Sequence, residues 1–359
     1  MMSTALFLIL AFQQPSFAER SDYVQKNVSK AIEKGLKALQ EMQQQGGRFE
    51  WHGRAAQGAT SLGLYTMLIS GVPVDEAPAA RALDWLLKNP PPVRTKGDWD
   101  TYEVSLFAVA VAHAVPLVKS STIRSKATFQ LQKAVDWLTG AQLKTGGWGY
   151  STGSEVHDHS NSQFAVMGLR AAMNSGAKVK KEVWERELSH YRISQVADGG
   201  WSYHGCAKDQ ADMRSSSTMT AAGVMGLTMS LAAMMPSRTV AELANEPAVK
   251  RGLGALKKYA AADFASGTVA YYWLYSLERA CMVTGTSHLG DIDWYVEGAW
   301  KLIRDQEPDG KWANGGDKIV DQCFALLFLR RAYITVETPS NSKPQPPTAA
   351  AGGRPREME

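Results

Sequence analysis

The chain has 359 residues, of which 45% are hydrophobic and 21% are charged, and its formal net charge is +4. That length allows one large domain or two ordinary ones. The small positive surplus is dispersed, which excludes the strongly basic surface typical of nucleic-acid binding, and the densest basic stretch, 249–259, is typical of a solvated helix face.

The N-terminal segment predicts export. Residues 5–12 form an apolar run that is too short to span a bilayer, and the small residues Ser16 and Ala18 fit a cleavage site before Glu19. We therefore interpret residues 1–18 as a signal peptide and expect a periplasmic or extracellular location. No segment of the mature chain is predicted to cross a membrane.

A pattern of Gln, three residues, Gly, one residue and Trp recurs along the chain. With looser copies included, six repeats 46 to 65 residues apart are anchored at Gln43, Pro90, Gln142, Gln195, Ala260 and Gln306. A period near 50 without strand-like alternation predicts a helix pair in each repeat, rather than the four strands of a propeller blade.

The two helices of each pair differ in their apolar pattern. The first, as in "FQLQKAVDWLTGAQ", is amphipathic, whereas the second, as in "MTAAGVMGLTMSLAAMM", is apolar nearly all round. A helix that is apolar on every side must be buried on every side, so the second helices should form an inner ring inside the first. We predict an all-α fold, an α6/α6 toroid over residues 19–336.

The repeat resembles the QW motif of squalene and terpenoid cyclases, whose α/α toroid is shared with protein prenyltransferase β subunits. Stretches such as "DHSNSQFAVMGL" and "DQCFALLFLRRA" are similar to bacterial prenyltransferase and squalene-oxidase repeat proteins. This resemblance covers roughly residues 25–335. It implies that Gln and Trp tie neighbouring outer helices together, and that a polyisoprenoid is bound or transformed in the ring.

The acid that the resemblance implies has one candidate region. Neither cyclase motif, Asp-x-Asp-Asp or Asp-Cys-Thr-Ala-Glu, is present, and "DWDTYE" comes nearest with Asp98, Asp100 and Glu103. Clustered carboxyls share a proton because like charges resist joint ionisation, and Thr101 weakens that coupling. The alternative is helix capping by Asp100 or Thr101, with Glu103 in the first turn.

No cofactor is expected, and zinc is the one metal that the resemblance suggests. Asp321 and Cys323 match the Asp-x-Cys of prenyltransferases, but the third ligand would have to be His52 from the first repeat. The alternative is helix capping by Asp321 and core packing by Cys323. Asp-Asp-x-x-Asp, the motif for magnesium diphosphate, does not occur.

Two further stretches supply candidate cavity residues. "HDHSNSQ" contributes His159 and Asn161, with His157 as a second metal-type side chain, although capping by Asp158 or Ser160 explains the cluster as well. "YYWLYSLERA" contributes Tyr272, Trp273 and Tyr275, aromatic faces that stabilise carbocations or simply fill the core.

The last segment, 337–359, is rich in Pro, Gly, Ser and Ala and is predicted to be disordered. Two functions stay open at this point. One is a cyclase-like or prenyltransferase-like protein that acts on a polyisoprenoid. The other is a non-catalytic toroid that binds a lipid or a protein partner.

Overall fold

The structure is a computed structural model and describes residues 15–51, 56–91, 100–204, 214–267, 269–312 and 318–331. Within them the first helices of the repeats are α1 (Phe17–Glu41), α3 (Ala77–Lys88), α5 (Ser121–Ala141), α7 (Lys181–Ile193), α10 (Pro247–Ser266) and α12 (Trp294–Asp305). The second helices are α2 (Ala56–Ile69), α4 (Asp100–Ala114), α6 (His159–Asn174), α8 (Ser217–Met234), α11 (Tyr271–Thr284) and α13 (Lys318–Leu329).

The second helices form a closed inner ring, which confirms the predicted toroid. Each contacts the next in the order α2, α4, α6, α8, α11, α13, and α13 returns to α2. The outer ring closes where α1 packs on α12, and Arg20 of α1 pairs with Glu297 of α12 at 2.7 Å. A short helix α9 (Val240–Ala244) and a two-stranded hairpin of β1 (His288–Leu289) and β2 (Ile292–Asp293) lie between repeats.

Burial follows the two predicted patterns. On α1 the buried positions fall on one stripe, namely Val24, Ala31, Gly35, Ala38 and Leu39, whereas every residue of α8 from Met219 to Ala232 is buried. By length and composition α8 could cross a membrane, but 78% of it is buried inside the ring. It therefore has the surroundings of a core helix.

The recurring Gln is a clamp between neighbouring repeats. Gln195 Nε2 donates to the carbonyl of Gly199 in its own turn (2.8 Å) and to that of Ala248 in the next outer helix (2.8 Å). The same two bonds are made by Gln43, Gln142 and Gln306. Gln306 reaches Ala31 of α1, so the clamp that joins successive repeats also closes the ring.

The recurring Trp fills the space under the clamps of Gln142, Gln195 and Gln306. Trp312 is fully buried and its Nε1 donates to the carbonyl of Leu302 at 2.7 Å; Trp148 and Trp201 make the equivalent bond. Its ring lies so close to α1 that a Cβ on Gly35 would be 2.3 Å from Trp312 Cζ3. Glycine is required there because no side chain fits.

The recurring Gly sits in the turn itself. Gly146 has φ 98°, a conformation that strongly favours glycine, and a Cβ there would lie 2.2 Å from the carbonyl oxygen of Arg186. Gly47, Gly199 and Gly310 repeat both features against Arg81, Arg251 and Lys34. Each turn is thus pressed on the outer helix of the next repeat.

Most of the predicted signal peptide, 1–18, lies outside the described residues, as does the tail from 337. The described chain enters α1 at Phe17, where Ser16 and Glu19 form a capping box. Export, the segment boundaries and any partner stay predictions.

Candidate functional site

A cavity of about 320 Å³ opens at the end of the ring where the inner helices begin. We call it the ring-end cavity. Its walls are the first two turns of α2, α4, α6, α11 and α13. The lining residues are Trp51, Gly58, Ala59, Leu62, Tyr102, Glu103, Leu106, Phe164, Tyr272, Val320, Asp321 and Phe324. Five different repeats therefore contribute to one site.

One wall of the ring-end cavity is a chain of aromatic rings. Tyr102 meets Phe164 edge to face (centroids 5.0 Å apart), and Tyr272 stacks on Phe324 at 5.7 Å. Below them Tyr275 stacks on Phe324 at 4.3 Å. Burial raises the pKa of the Tyr102 and Tyr272 hydroxyls above the usual range for tyrosine. Both hydroxyls stay neutral and act only through hydrogen bonds.

The acidic residues Glu103 and Asp321 line the cavity from α4 and α13, the two inner helices that flank α2. Between them α2 begins with small residues, Gly58 and Ala59. A Cβ on Gly58 would reach 3.4 Å from Glu103 Cγ. The small residues thus leave room in the cavity beside the carboxyl-bearing side chains.

A hydrogen-bond network supports the aromatic wall. Asp158 caps α6 by accepting from the backbone N–H of Ser160 (2.8 Å) and of Asn161 (3.2 Å), and Ser160 Oγ donates to the same carboxylate. Since that hydroxyl proton is committed to Asp158, Tyr102 Oη donates to Ser160 Oγ at 2.5 Å. The cap of α6 therefore fixes a side chain of α4.

Three histidines form a second cluster beside this network. His157 and His159 flank Asp158, and His190 lies in the last turn of α7; their ring centroids are 4.4 to 5.0 Å apart. All three are buried. Burial, reinforced by the neighbouring His157, lowers the pKa of His159 to about 3, and burial lowers that of His190 well below its usual value. The cluster is neutral at pH 7.

A buried ion pair lies deeper in the ring. Arg279 donates to Glu278 at 2.5 Å, both are fully buried, and the Arg279 guanidinium lies 4.4 Å from the Tyr275 ring centroid. Burial raises the pKa of Glu278 to about 7, against the opposing pull of Arg279. Burial likewise raises the pKa of Tyr65 above its usual range.

The three acids of the predicted motif do not lie together in the cavity as far as the structure describes them. Asp98 lies outside the described residues. Asp100 is the first residue of α4 and is buried, but it does not line the cavity, whereas Glu103 does. Thr101 ties the start of α4 to the third repeat, since its Oγ1 donates to the carbonyl of Gly149 at 2.6 Å.

The predicted cavity residues are likewise separated. Tyr272 lines the cavity and donates to Gln163 Oε1 at 3.0 Å. Trp273 does not line the cavity and packs edge to face on Phe264 at 5.1 Å, and Tyr275 is fully buried behind Phe324 without lining the cavity. His159 belongs to the histidine cluster and Asn161 to the buried first turn of α6.

The predicted zinc pair also has two different surroundings. Asp321 lines the ring-end cavity, whereas Cys323 is fully buried in the core and does not line it. Burial raises the pKa of the Cys323 thiol to about 12. Across the described part of the chain, the side chains grouped closely enough to hold a metal are His157, His159 and His190.

Several site residues were not predicted from the sequence. Tyr102, Phe164 and Phe324 complete the aromatic wall, and His190 completes the histidine cluster. A signal for His190 does exist in the repeat. It lies four residues after Arg186, the residue on which the Gly146 turn is pressed, so it must face that turn.

Neither a protein-family profile nor a curated protein matches the chain. Two solved structures, from Salmonella enterica subsp. enterica serovar Paratyphi A and Klebsiella pneumoniae subsp. pneumoniae, are similar to it, and each is described as a possible member of the GH105 family. They are 13% and 14% identical, with TM-scores of 0.54 and 0.51, and each comparison covers 92% of this chain and 98% of the other. The shared feature is the toroid fold.

These structures correct the interpretation as a cyclase or prenyltransferase, which is wrong. The two toroids reported above, which are similar to this chain over nearly its whole length, are each described as a possible member of the GH105 family. The physical reason is visible in the clamps. Gln195 and Trp201 bond to backbone carbonyls at helix ends and do not line the cavity. The motif therefore specifies how helix pairs join and says nothing about the chemistry.

Proposed function

We propose that the protein is a glycoside hydrolase that binds a sugar residue in the ring-end cavity, with Glu103 and Asp321 as its carboxyl pair. The observation that carries the proposal is the presence of these two acids in one aromatic-walled cavity at the mouth of a toroid. The likeness to two structures described as possible GH105 members, a glycoside hydrolase family, supports it.

The chemistry needs two carboxyl groups with different tasks. One, protonated, donates a proton to the glycosidic oxygen as the bond to the sugar breaks. The other, ionised, either activates a water molecule or stabilises the positive charge that develops on the ring. Glu103 and Asp321 come from the two helices on either side of α2. A sugar bound over Gly58 and Ala59 would therefore have one acid on each side.

The aromatic wall accounts for binding. The faces of a sugar ring are made of C–H groups that pack on aromatic side chains, while its hydroxyls bond at the edges. Tyr102 and Tyr272 offer both properties, because each presents a ring in the cavity and a neutral hydroxyl already oriented by Ser160 or Gln163. About 320 Å³ is at the low end for small-molecule sites. The cavity therefore suits a terminal sugar or a disaccharide.

The test is a panel of 4-nitrophenyl α- and β-glycosides of neutral and acidic hexoses, together with short oligosaccharides. We expect the full chain to release sugar from one class, and Glu103→Gln and Asp321→Asn each to reduce kcat by at least about 100-fold. The matched control is Glu155→Gln, which alters an exposed carboxylate outside the cavity.

Two outcomes overturn the proposal. One is that the wild-type chain neither cleaves nor binds any member of the panel in calorimetry. The other is that both cavity variants retain wild-type turnover. Thermal melting of each variant separates a loss of chemistry from a loss of folding.

A further inference from the structure

The three buried histidines come from two separate parts of the third and fourth repeats. His157 and His159 lie at the start of α6, and His190 arrives from α7, the next outer helix. One ring nitrogen from each of the three histidines lies within 4.8 Å of the corresponding nitrogens of the other two. No other described His, Cys, Asp or Glu residues are grouped in this way.

The hydrogen bonds of His159 orient its ring for metal binding. Its Nδ1 lies 2.6 Å from the carbonyl oxygen of Ser202, which can only accept, so Nδ1 carries the proton. Its Nε2 therefore presents a lone pair, and it lies 3.0 Å from Ser194 Oγ. Metal-ligating histidines characteristically donate the other ring N–H to a carbonyl in this way.

His190 supplies the decisive observation. Its side chain is 1% exposed, and its Nε2 has no hydrogen-bond partner. A buried polar atom without a partner destabilises the fold unless a ligand binds it. The backbone of Thr145 interacts with the other side of the same ring. The unpartnered nitrogen is thus the lone-pair atom, and it lies within the cluster.

We infer that His157, His159 and His190 bind one zinc ion. Three neutral imidazoles and one further position, taken by water, make a complete tetrahedral zinc shell. Nitrogen ligands at about 2.05 Å from zinc in a tetrahedral arrangement are about 3.3 Å apart, so the ion draws the widest pair closer. This site is independent of the glycosidase proposal, since none of its residues lines the ring-end cavity.

The zinc site would stabilise the clamp turn of the third repeat. A Cβ on Gly147 would lie 2.7 Å from His190 Nε2 and 3.0 Å from His157 Cβ, so the third clamp turn rests directly on the cluster. Zinc would link this turn and the start of α6 to the last turn of α7. Because Asp158 lies between two of the ligands and organises Ser160 and Tyr102, the same ion would steady the aromatic wall.

The experiment uses the full chain without a histidine tag, stripped with EDTA and titrated with Zn²⁺ in calorimetry. We expect one zinc per chain by elemental analysis, visible d–d absorption typical of tetrahedral Co²⁺ when cobalt replaces zinc, and a higher melting temperature with zinc. His190→Gln and His157→Asn should each weaken zinc binding by more than about 100-fold and abolish the zinc-dependent rise in melting temperature.

His113→Gln is the matched control, since His113 is a half-buried histidine whose Nδ1 donates to Val109 O within its own helix. This variant should bind zinc as the wild type does. His157→Asn, at the more accessible end of the cluster, keeps the test valid if His190→Gln does not fold. The inference is overturned if the stripped wild type takes up only substoichiometric zinc, or if the folded cluster variants bind it as tightly as the control.

Discussion

The clamps of the outer ring and the starts of the inner helices lie only a few residues apart, yet they differ in kind. Four repeats make the same pair of glutamine bonds to backbone carbonyls, from Gln43 to Gln306. By contrast, the inner helix starts carry Gly58, Glu103, the histidine pair, Tyr272 and Asp321, no two alike. Uniform contacts hold the ring, and this leaves the inner starts free to carry chemistry.

Removing a clamp should have the largest effect on folding. Trp312→Ala empties a fully buried site and leaves the Leu302 carbonyl without its donor, so the free energy of unfolding should fall by about 3–5 kcal/mol. Urea unfolding measures it. Trp85→Ala, at a half-buried site outside the clamp, should lose clearly less, and an equal loss would mean that the clamp is not special.

The free energy of unfolding should depend on pH through the buried Glu278. The folded pKa of Glu278 is raised to about 7, so above pH 4.5 the unfolded chain loses this proton before the folded chain does. Stability from this group is therefore greatest at low pH and falls as pH rises towards 7, by about 3 kcal/mol in total.

Glu278→Gln cannot titrate, so the unfolding free energy of wild type minus that of the variant should decrease by this amount between pH 4.5 and 7.5. Other groups titrate in both proteins and cancel. A difference that stays constant across this range would contradict the raised pKa.

Two adjacent glycines distinguish the need for a positive φ in a clamp turn from the need for space beside the next outer helix. Gly46 and Gly47 both have φ 96°, but only a Cβ on Gly47 would meet the Arg81 carbonyl, at 2.4 Å. Each change to Ala costs about 1–2 kcal/mol of backbone strain, and Gly47→Ala should lose about 1–3 kcal/mol more through the clash. Equal melting temperatures for the two variants would show that the turn does not press on α3.

The smallest effect should come from the wall of the cavity. Tyr102→Phe keeps the ring but removes the bond to Ser160 Oγ, so we expect a loss of about 1 kcal/mol in unfolding free energy. Tyr23→Phe, at an exposed site, is the control and should be neutral. A neutral Tyr102→Phe would mean that the α6 cap does not hold the wall.

The same contrast explains what could be read from the sequence. The spacing of Gln195, Gly199 and Trp201 predicted the repeated helix pair, the apolar second helices predicted the ring, and the resemblance implied the clamp. The cavity was harder to predict because helix rotation decides it. Tyr272 and Trp273 are neighbours in the sequence, yet one lines the cavity and the other packs on Phe264.

The histidine cluster was harder to predict for a different reason. His157 and His159 were visible as a pair, but His190 lies on another helix and its counterparts in other repeats are not histidines. Only the packing of one repeat on the next brings the third ring within 4.4 Å of His157. A residue that occurs once in a repeat protein leaves no periodic trace.

The bond from Gln306 to Ala31 has a topological meaning. Because it matches the bonds that Gln43, Gln142 and Gln195 make inside the ring, the seam between the last repeat and the first is held like the other clamped joints. A circularly permuted chain, with its ends joined by a flexible linker and opened in the connection between α6 and α7, should assemble the same toroid. In such a ring, the packing between repeats determines which repeats are neighbours, and the position at which the chain begins does not.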